Sequence, residues 1–239
     1  MNLSFYTAAV GAHSMQERIN IISNNLANIN TDGYKSVNAG FVDLLYNKYY
    51  RAATRDPETG CGTRIEKTDI DFRQNSFVPT GNPYDYAIVG DGFFAVYDNS
   101  NGNVYYTRNG QFSLSNYSNE GNMFFLVNDQ GHIVLDDNFG LLYVDPNDPN
   151  QKINIGVFDF NNKQGILLIG NNLYEATEQQ GEPFFNENAL VRPGMLEMSN
   201  VDLALEMSRV IEAQRAYQLS LRMLSTSDEI EQTINNLRG

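Results

Sequence analysis

The chain has 239 residues and a mass of 26.9 kDa, room for one or two domains with sizeable cores. Hydrophobic residues make up 41% and charged residues 19%, which excludes a disordered chain, and no apolar run reaches the ~20 residues of a membrane span. With 16 basic against 29 acidic residues, net −13, the chain repels phosphate backbones, so no nucleic acid partner and no membrane insertion are expected.

The breakers divide the chain. All seven prolines lie between Pro57 and Pro193, and fifteen of nineteen glycines between Gly60 and Gly194. Proline-free ends read as helices, and a middle punctuated every 8–12 residues or so reads as antiparallel strands. At the N-terminus, Phe5, Ala8, Ala12, Met15, Ile19, Ile22, Leu26 and Ile29 follow spacings of 3 and 4, a heptad-like seam. Asn30-Thr31-Asp32-Gly33 should end this helix, with the glycine free to take positive φ.

The middle predicts strands at Tyr86–Val89, Phe93–Tyr97, Val104–Thr107, Phe112–Leu114, Met123–Val127, His132–Leu135, Leu141–Val144 and Ile153–Phe158. Asn109-Gly110 is its strongest hairpin signal. No helix-length pattern separates these strands, which argues against a parallel sheet. The C-terminal segment carries Leu203, Met207, Val210, Gln214, Tyr217, Leu221 and Leu224 at spacings of 4 and 3. Ile230, Ile234 and Leu237 then continue it after a phase slip that resembles a stammer. Ser199 or Asn200 is expected to cap this helix, with Asp202 in its first turn.

The predicted fold class is therefore α+β. Terminal helices form a coiled-coil-like assembly domain around a central antiparallel β-rich domain. The expected divisions are 1–36, 37–80 (an extended linker or hairpin), 81–194 and 195–239. Periodicity alone leaves two arrangements open. The helices either pack on their own β domain, or pair with each other and with copies from neighbouring subunits.

Nothing in the chain reads as catalytic chemistry. Gly90-Asp91-Gly92 lacks the third glycine and the helix of a dinucleotide loop, and is read as a β-turn. The Asp98–Gly102 and Asp145–Asp148 clusters lack calcium-loop spacing. One cysteine, Cys61, cannot form an intramolecular disulfide, and with His13 and His132 it makes no zinc set. No cofactor, no metal and no enzyme activity are expected. The N-terminus lacks the pattern of a cleaved secretory signal.

Four blocks carry a resemblance. Residues 23–35, Ser-Asn-Asn-Leu-Ala-Asn-Ile-Asn-Thr-Asp-Gly-Tyr-Lys, match the pattern N-N-[LI]-A-N-x-N-T-x-G-[YF]-K at every fixed position, through Asn24, Asn25, Leu26, Ala27, Asn28, Asn30, Thr31, Gly33, Tyr34 and Lys35. Leu196–Leu203, with Ser199, Asn200, Val201 and Asp202, and Glu212–Gln218, with Gln214, Arg215, Ala216 and Tyr217, resemble a second, C-terminal block. Ala87–Val96 and Tyr106–Leu114 resemble two β-domain blocks. Together they are similar to the bacterial flagellar axial proteins, and within these to the basal-body rod proteins. Asp43-Leu44-Leu45-Tyr46 and the C-terminal block resemble the distal-rod members, although the stretch from Asn47 to Arg64 is shorter than in those.

The resemblance implies a structural subunit of the flagellar basal body, outside the cytoplasmic membrane. It would be exported uncleaved by the flagellar type III apparatus and polymerise with itself and with other rod and hook proteins. The product would be a hollow helical drive shaft that transmits torque to the hook and conducts exported subunits. A proximal-rod subunit is the alternative within the family; a β-rich carbohydrate- or protein-binding module with helical oligomerisation ends is the alternative outside it. The assembly residues expected are Phe5, Met15, Ile19, Ile22, Leu26, Ile29, Leu203, Met207, Val210, Tyr217, Leu221, Leu224, Ile230, Ile234 and Leu237.

Overall fold

The computed structural model describes residues 3–44, 47–48, 58–60, 62–116, 124–145 and 153–238. Cys61 and Met123 lie outside them. The chain forms two compact units: residues 1–29, 36–71 and 201–239 make one, residues 30–35 and 72–200 the other. The units thus interleave along the sequence, in a way that divisions at 36, 80 and 194 do not express.

The first unit is built on two helices, α1 (Leu3–Ala27) and α2 (Leu203–Arg238). They run antiparallel, as Ser4 meets Ser227, Gly11 lies beside Ser220 and Arg18 reaches Glu212. Strand β1 (Val37–Asp43) pairs antiparallel with β4 (Thr63–Ile70), with a register shift between Gly40 and Phe41. A two-residue pairing of β2 (Asn47–Lys48) with β3 (Glu58–Thr59) continues the excursion between them. This hairpin packs on α1, where the Ser14 hydroxyl donates to the Thr63 carbonyl at 2.7 Å. Helix α1 ends at Ala27, three residues before the expected turn. The Asn28 side-chain amide donates at 2.9 Å to the Asn24 carbonyl, which also accepts the Asn28 backbone N–H at 3.2 Å.

Helix α2 departs from expectation at its start. Asp202, not Ser199 or Asn200, is the cap: its Oδ1 accepts from the backbone N–H groups of Ala204 and Leu205 at 2.9 and 3.2 Å. Ser199 and Asn200 are occupied elsewhere. The Ser199 carbonyl accepts from the Asn75 amide, and the Asn200 N–H donates to the Tyr34 carbonyl.

Among the described residues, the second unit is an antiparallel ten-stranded sheet with two small satellite pairs. Its hub is β7 (Phe93–Tyr97), buried along Phe93–Val96. One edge of β7 pairs with β8 (Val104–Thr107). The other pairs with β11 (Ile133–Val134) at Val96–Tyr97 and with β13 (Val157–Asp159) at Phe93–Phe94. Beyond β8 lie β15 (Leu173–Glu175) and then β14 (Leu167–Gly170) at the sheet's end. Beyond β11 come β10 (Phe124–Val127), flanked by β9 (Ser113–Asn116) and β12 (Tyr143–Val144). A short β16 (Phe184–Phe185) lies on β13. The satellites are β6 (Tyr86–Val89) with β17 (Leu190–Pro193), and β5 (Phe77–Pro79) with β18 (Met195–Glu197). Ile88, Phe94, Val96, Leu126, Val134 and Val157 form the centre of the core.

The predicted strands 86–89, 93–97 and 104–107 recur residue for residue, because each is a β-branched or aromatic run between turn formers. Asn109-Gly110 does not close a hairpin. Strand β8 pairs with β7 and β15, and β9 pairs with β10. Gly110 serves close approach instead: its carbonyl accepts from Tyr86 N–H at 2.9 Å, and a Cβ there would lie 1.7 Å from the Tyr86 oxygen. The sheet's true two-residue hairpin turn is Asn171-Asn172, both left-handed (φ 51° and 59°), as a type I′ turn requires.

Candidate assembly surface and the buried charge lock

In the second unit the four resemblance blocks converge on one buried carboxylate. Glu197 Oε1 accepts from Lys35 Nζ at 2.6 Å, and its Oε2 accepts from Arg108 Nη1 at 3.2 Å. All three side chains are almost fully buried. Lys35 belongs to the first block, Arg108 to the Tyr106–Leu114 block and Glu197 to the C-terminal block. The remaining block supplies the Gly90 carbonyl, which accepts from Arg108 Nη2 at 2.9 Å, and the Phe93 ring, 5.6 Å from the guanidinium carbon. Lys35 Nζ also donates to the Arg73 carbonyl, and Asn75 N–H donates to Glu197 Oε1.

Backbone geometry brings these groups together. Gly33, at φ 69°, donates its N–H to the Glu197 carbonyl at 2.7 Å. A Cβ on it would come within 2.5 Å of the Arg108–Asn109 backbone, so only glycine fits. Rings of Phe72, Phe93, Tyr106, Phe160 and Tyr174 pack beside the charges. Burial pushes the Tyr106 hydroxyl up to about 12, and burial, then Tyr34, raises Tyr174 further above its ordinary value. The buried carboxylate and its two cations tie together segments far apart in the chain.

In the first unit, Asn25 completes a similar task. Its side chain donates to the Val37 carbonyl and accepts from Val37 N–H, both at 2.9 Å, imitating a strand neighbour. Arg209 bonds Glu206 at 2.6 Å and Asn38 at 3.1 Å. Buried signature residues thus hold the fold together locally, whereas Asn24, Ala27, Asn30, Asp202, Gln214 and Arg215 are exposed.

The expected assembly residues separate into two groups. Ile22 is buried in the monomer; Phe5, Met15, Ile19, Leu26 and Ile29 on the α1 side, and Val210, Tyr217 and Leu224 on α2, are half-buried. Leu203, Met207, Leu221, Ile230, Ile234 and Leu237 are exposed. The face that α2 turns inward is a different line: Glu206, Val210, Ala213, Tyr217, Ser220, Leu224 and Ser227, in unbroken steps of 4 and 3. No stammer interrupts it. At 3.6 residues per turn, the large apolar residues flank this line on both sides. Leu203, Met207 and Leu221 occupy one shoulder and Leu219 and Met223 the other; Ile230, Ile234 and Leu237 follow Ser227 on the last turns of the helix.

Two further features belong to this unit. Leu219, Ser220 and Met223 line an apolar groove of about 460 Å³ with Ser4, Thr7, Ala8 and Gly60. Since Ser4 lies level with Ser227, α2 continues about three turns beyond it, with Ile230, Ile234 and Leu237 exposed. Among the described residues there is no acidic, histidine or cysteine cluster able to hold a metal, and no helix long and apolar enough to cross a membrane.

Residues 5–35 match the family described as flagella basal body rod protein, residues 87–164 the flagellar hook protein FlgE/F/G D1 domain, and residues 192–237 the flagellar basal body rod FlgEFG protein C-terminal region. The flagellar basal-body rod protein FlgG of Borreliella burgdorferi is 34% identical over 270 residues, covering 100% of this chain and 99% of that one. The chain belongs to the flagellar basal-body rod family. FlgG proteins of Buchnera aphidicola and Bacillus subtilis are similar at 31% and 30% identity, each over 98% of this chain. Membership of the rod family makes the chain a structural component of the flagellar basal body. The three matched regions each contribute one charged group of the lock. Glu197 and Arg108 were legible only as members of blocks; nothing in their spacing announced that they meet.

Proposed function

We propose that this chain is a distal-rod subunit that polymerises with itself into a hollow helical shaft, carrying torque to the hook and conducting later subunits outward. The observation that carries the reading is the pair of apolar shoulders on α2. Ten large apolar side chains of one helix stand exposed, seven of them on the part of α2 that runs alongside α1 and three, Ile230, Ile234 and Leu237, on the turns beyond it. A helix with two unpartnered shoulders suits two neighbours, and a heterologous contact that does not close generates a helical polymer. The similarity to FlgG proteins supports the distal position. Export without a cleaved signal through the flagellar apparatus goes with the same reading, as does contact with other rod and hook proteins. A carbohydrate- or protein-binding module would leave both shoulders idle.

The test is electron microscopy of the purified chain at rising concentration, together with basal bodies from cells lacking it. Tubes in the first, and rods truncated before the hook in the second, are expected. A chain that stays monomeric at every concentration, with complete basal bodies in its absence, overturns the proposal.

A further inference from the structure

We infer that the buried network around Glu197 is a mechanical clamp, which pools force arriving along the chain from the helical unit and passes it into the sheet. Its use in carrying torque rests on the shaft reading proposed above; the clamp itself is a property of the single chain.

Connectivity comes first. The chain passes between the two units four times, at 29/30, 35/36, 71/72 and 200/201. Every covalent path between the helices and the sheet runs through these passages. On the side of the second unit, the last three are bonded to one another within a few residues. Lys35 Nζ and the Asn200 side chain both donate to the Arg73 carbonyl, at 3.0 and 3.3 Å, and Asn200 N–H donates to the Tyr34 carbonyl at 3.3 Å. Glu197 ties the same segments again. Its carboxylate accepts from Lys35 Nζ and from Asn75 N–H, and its carbonyl accepts from Gly33 N–H. The first passage leads into the same short segment, residues 30–35, where Tyr34 N–H donates to the Thr31 carbonyl at 3.3 Å. A pull on any one passage is thus shared with the others at Glu197.

The sheet end of the clamp is Arg108. Glu197 ends β18, which pairs with β5; among the described residues this satellite has no strand pairing with the ten-stranded sheet. Arg108 directly follows β8, the neighbour of the hub strand β7. Its bond to Glu197 Oε2 therefore crosses from the satellite to the main sheet. The Gly90 carbonyl and the Phe93 ring hold the guanidinium at that end.

Stability does not explain why charges do this work. Replacing a buried ion triad by apolar residues of similar volume is often neutral or stabilising. Resistance to force differs between the two. Apolar contact is non-directional, so packed surfaces can slip with little change in buried area. Charge-assisted hydrogen bonds are short and angle-dependent, and a small displacement breaks them. Several that share one buried carboxylate must yield together, and salt screens them little.

The experiment pulls single molecules in optical tweezers along two directions, using cysteine handles in a Cys61→Ser chain. Leu203→Cys with Asn101→Cys loads the clamp: Leu203 follows the last passage, and Asn101 lies in the β7–β8 turn, at the far end of that hairpin from Arg108. Asp129→Cys with Leu167→Cys pulls across the sheet, from the β10–β11 turn to β14. The triple variant Lys35→Met, Arg108→Met, Glu197→Leu should unfold about tenfold faster at fixed force along the first direction. Along the second it should match the wild type. Equal acceleration along both directions overturns the clamp, because the network then adds only stability; no acceleration along the first overturns it too. Should the triple variant not fold, Glu197→Gln, which keeps the shape and removes the charge, is read by the same comparison. Complete basal bodies in cells lacking this chain overturn the shaft reading and leave the clamp standing.

Discussion

Glu197 is the residue on which the second unit turns, and its chemistry makes a sharp prediction. Its carboxylate neutralises two buried cations, Lys35 and Arg108. Glu197→Ala would leave both unpaired in a dry site, at about 3–5 kcal/mol. Urea unfolding should show that loss, whereas joint replacement by Met at 35 and 108 and Leu at 197 should cost far less, because no charge is then stranded. A second prediction concerns Tyr106 beside this cluster. Its hydroxyl is held near 12 in the fold against an ordinary 10.0. Between those values the unfolded chain has released a proton that the folded chain keeps, so stability present below pH 10 is lost as pH rises toward 12. Tyr106→Phe should flatten the alkaline fall in a pH series of thermal melts; an unchanged slope would assign that fall to other groups.

At the scale of elements, folding and the proposed assembly fall to different faces of the helices. Ile22 is 4% exposed, so Ile22→Asp puts a charge into the monomer's own helix packing and should unfold the first unit. Leu221 is 42% exposed, so Leu221→Asp should leave thermal unfolding unchanged within about a degree or two while the protein fails to enter basal bodies. Normal swimming with Leu221→Asp would mean that this shoulder is not an assembly surface. The sequence made the helices legible through their period and the central strands through their composition. It revealed the inward face of α2 only in part: Val210, Tyr217 and Leu224 stand on the predicted seam, but Glu206, Ala213, Ser220 and Ser227, which alternate with them, are small or polar residues with no hydropathy signal. The 167–175 hairpin also escaped, since its turn is Asn-Asn rather than Asn-Gly. Pairings such as Lys35 with Glu197 span 162 residues, beyond any local pattern.

At the scale of the whole molecule, charge and apolar surface oppose one another. Copies with net charge −13 repel, and the repulsion acts over a Debye length that shrinks from ~30 Å at 0.01 M salt to ~8 Å at 0.15 M. Burial of the α2 shoulders, at roughly 25 cal/mol per Å², does not weaken with salt in this way. Polymerisation of the purified chain should therefore rise with ionic strength, the reverse of an assembly held by opposite charges. Lowering the pH toward the isoelectric point of about 4.5 should act in the same direction by neutralising carboxylates. Sedimentation at fixed protein concentration across a sodium chloride series measures this, with Leu221→Asp as the control. If the shoulders drive assembly, the wild type pellets increasingly as salt rises and the variant stays in solution throughout. A pellet that dissolves with salt would place ion pairs, such as those available to Arg215 and Arg222 on α2, at the centre of the contact instead.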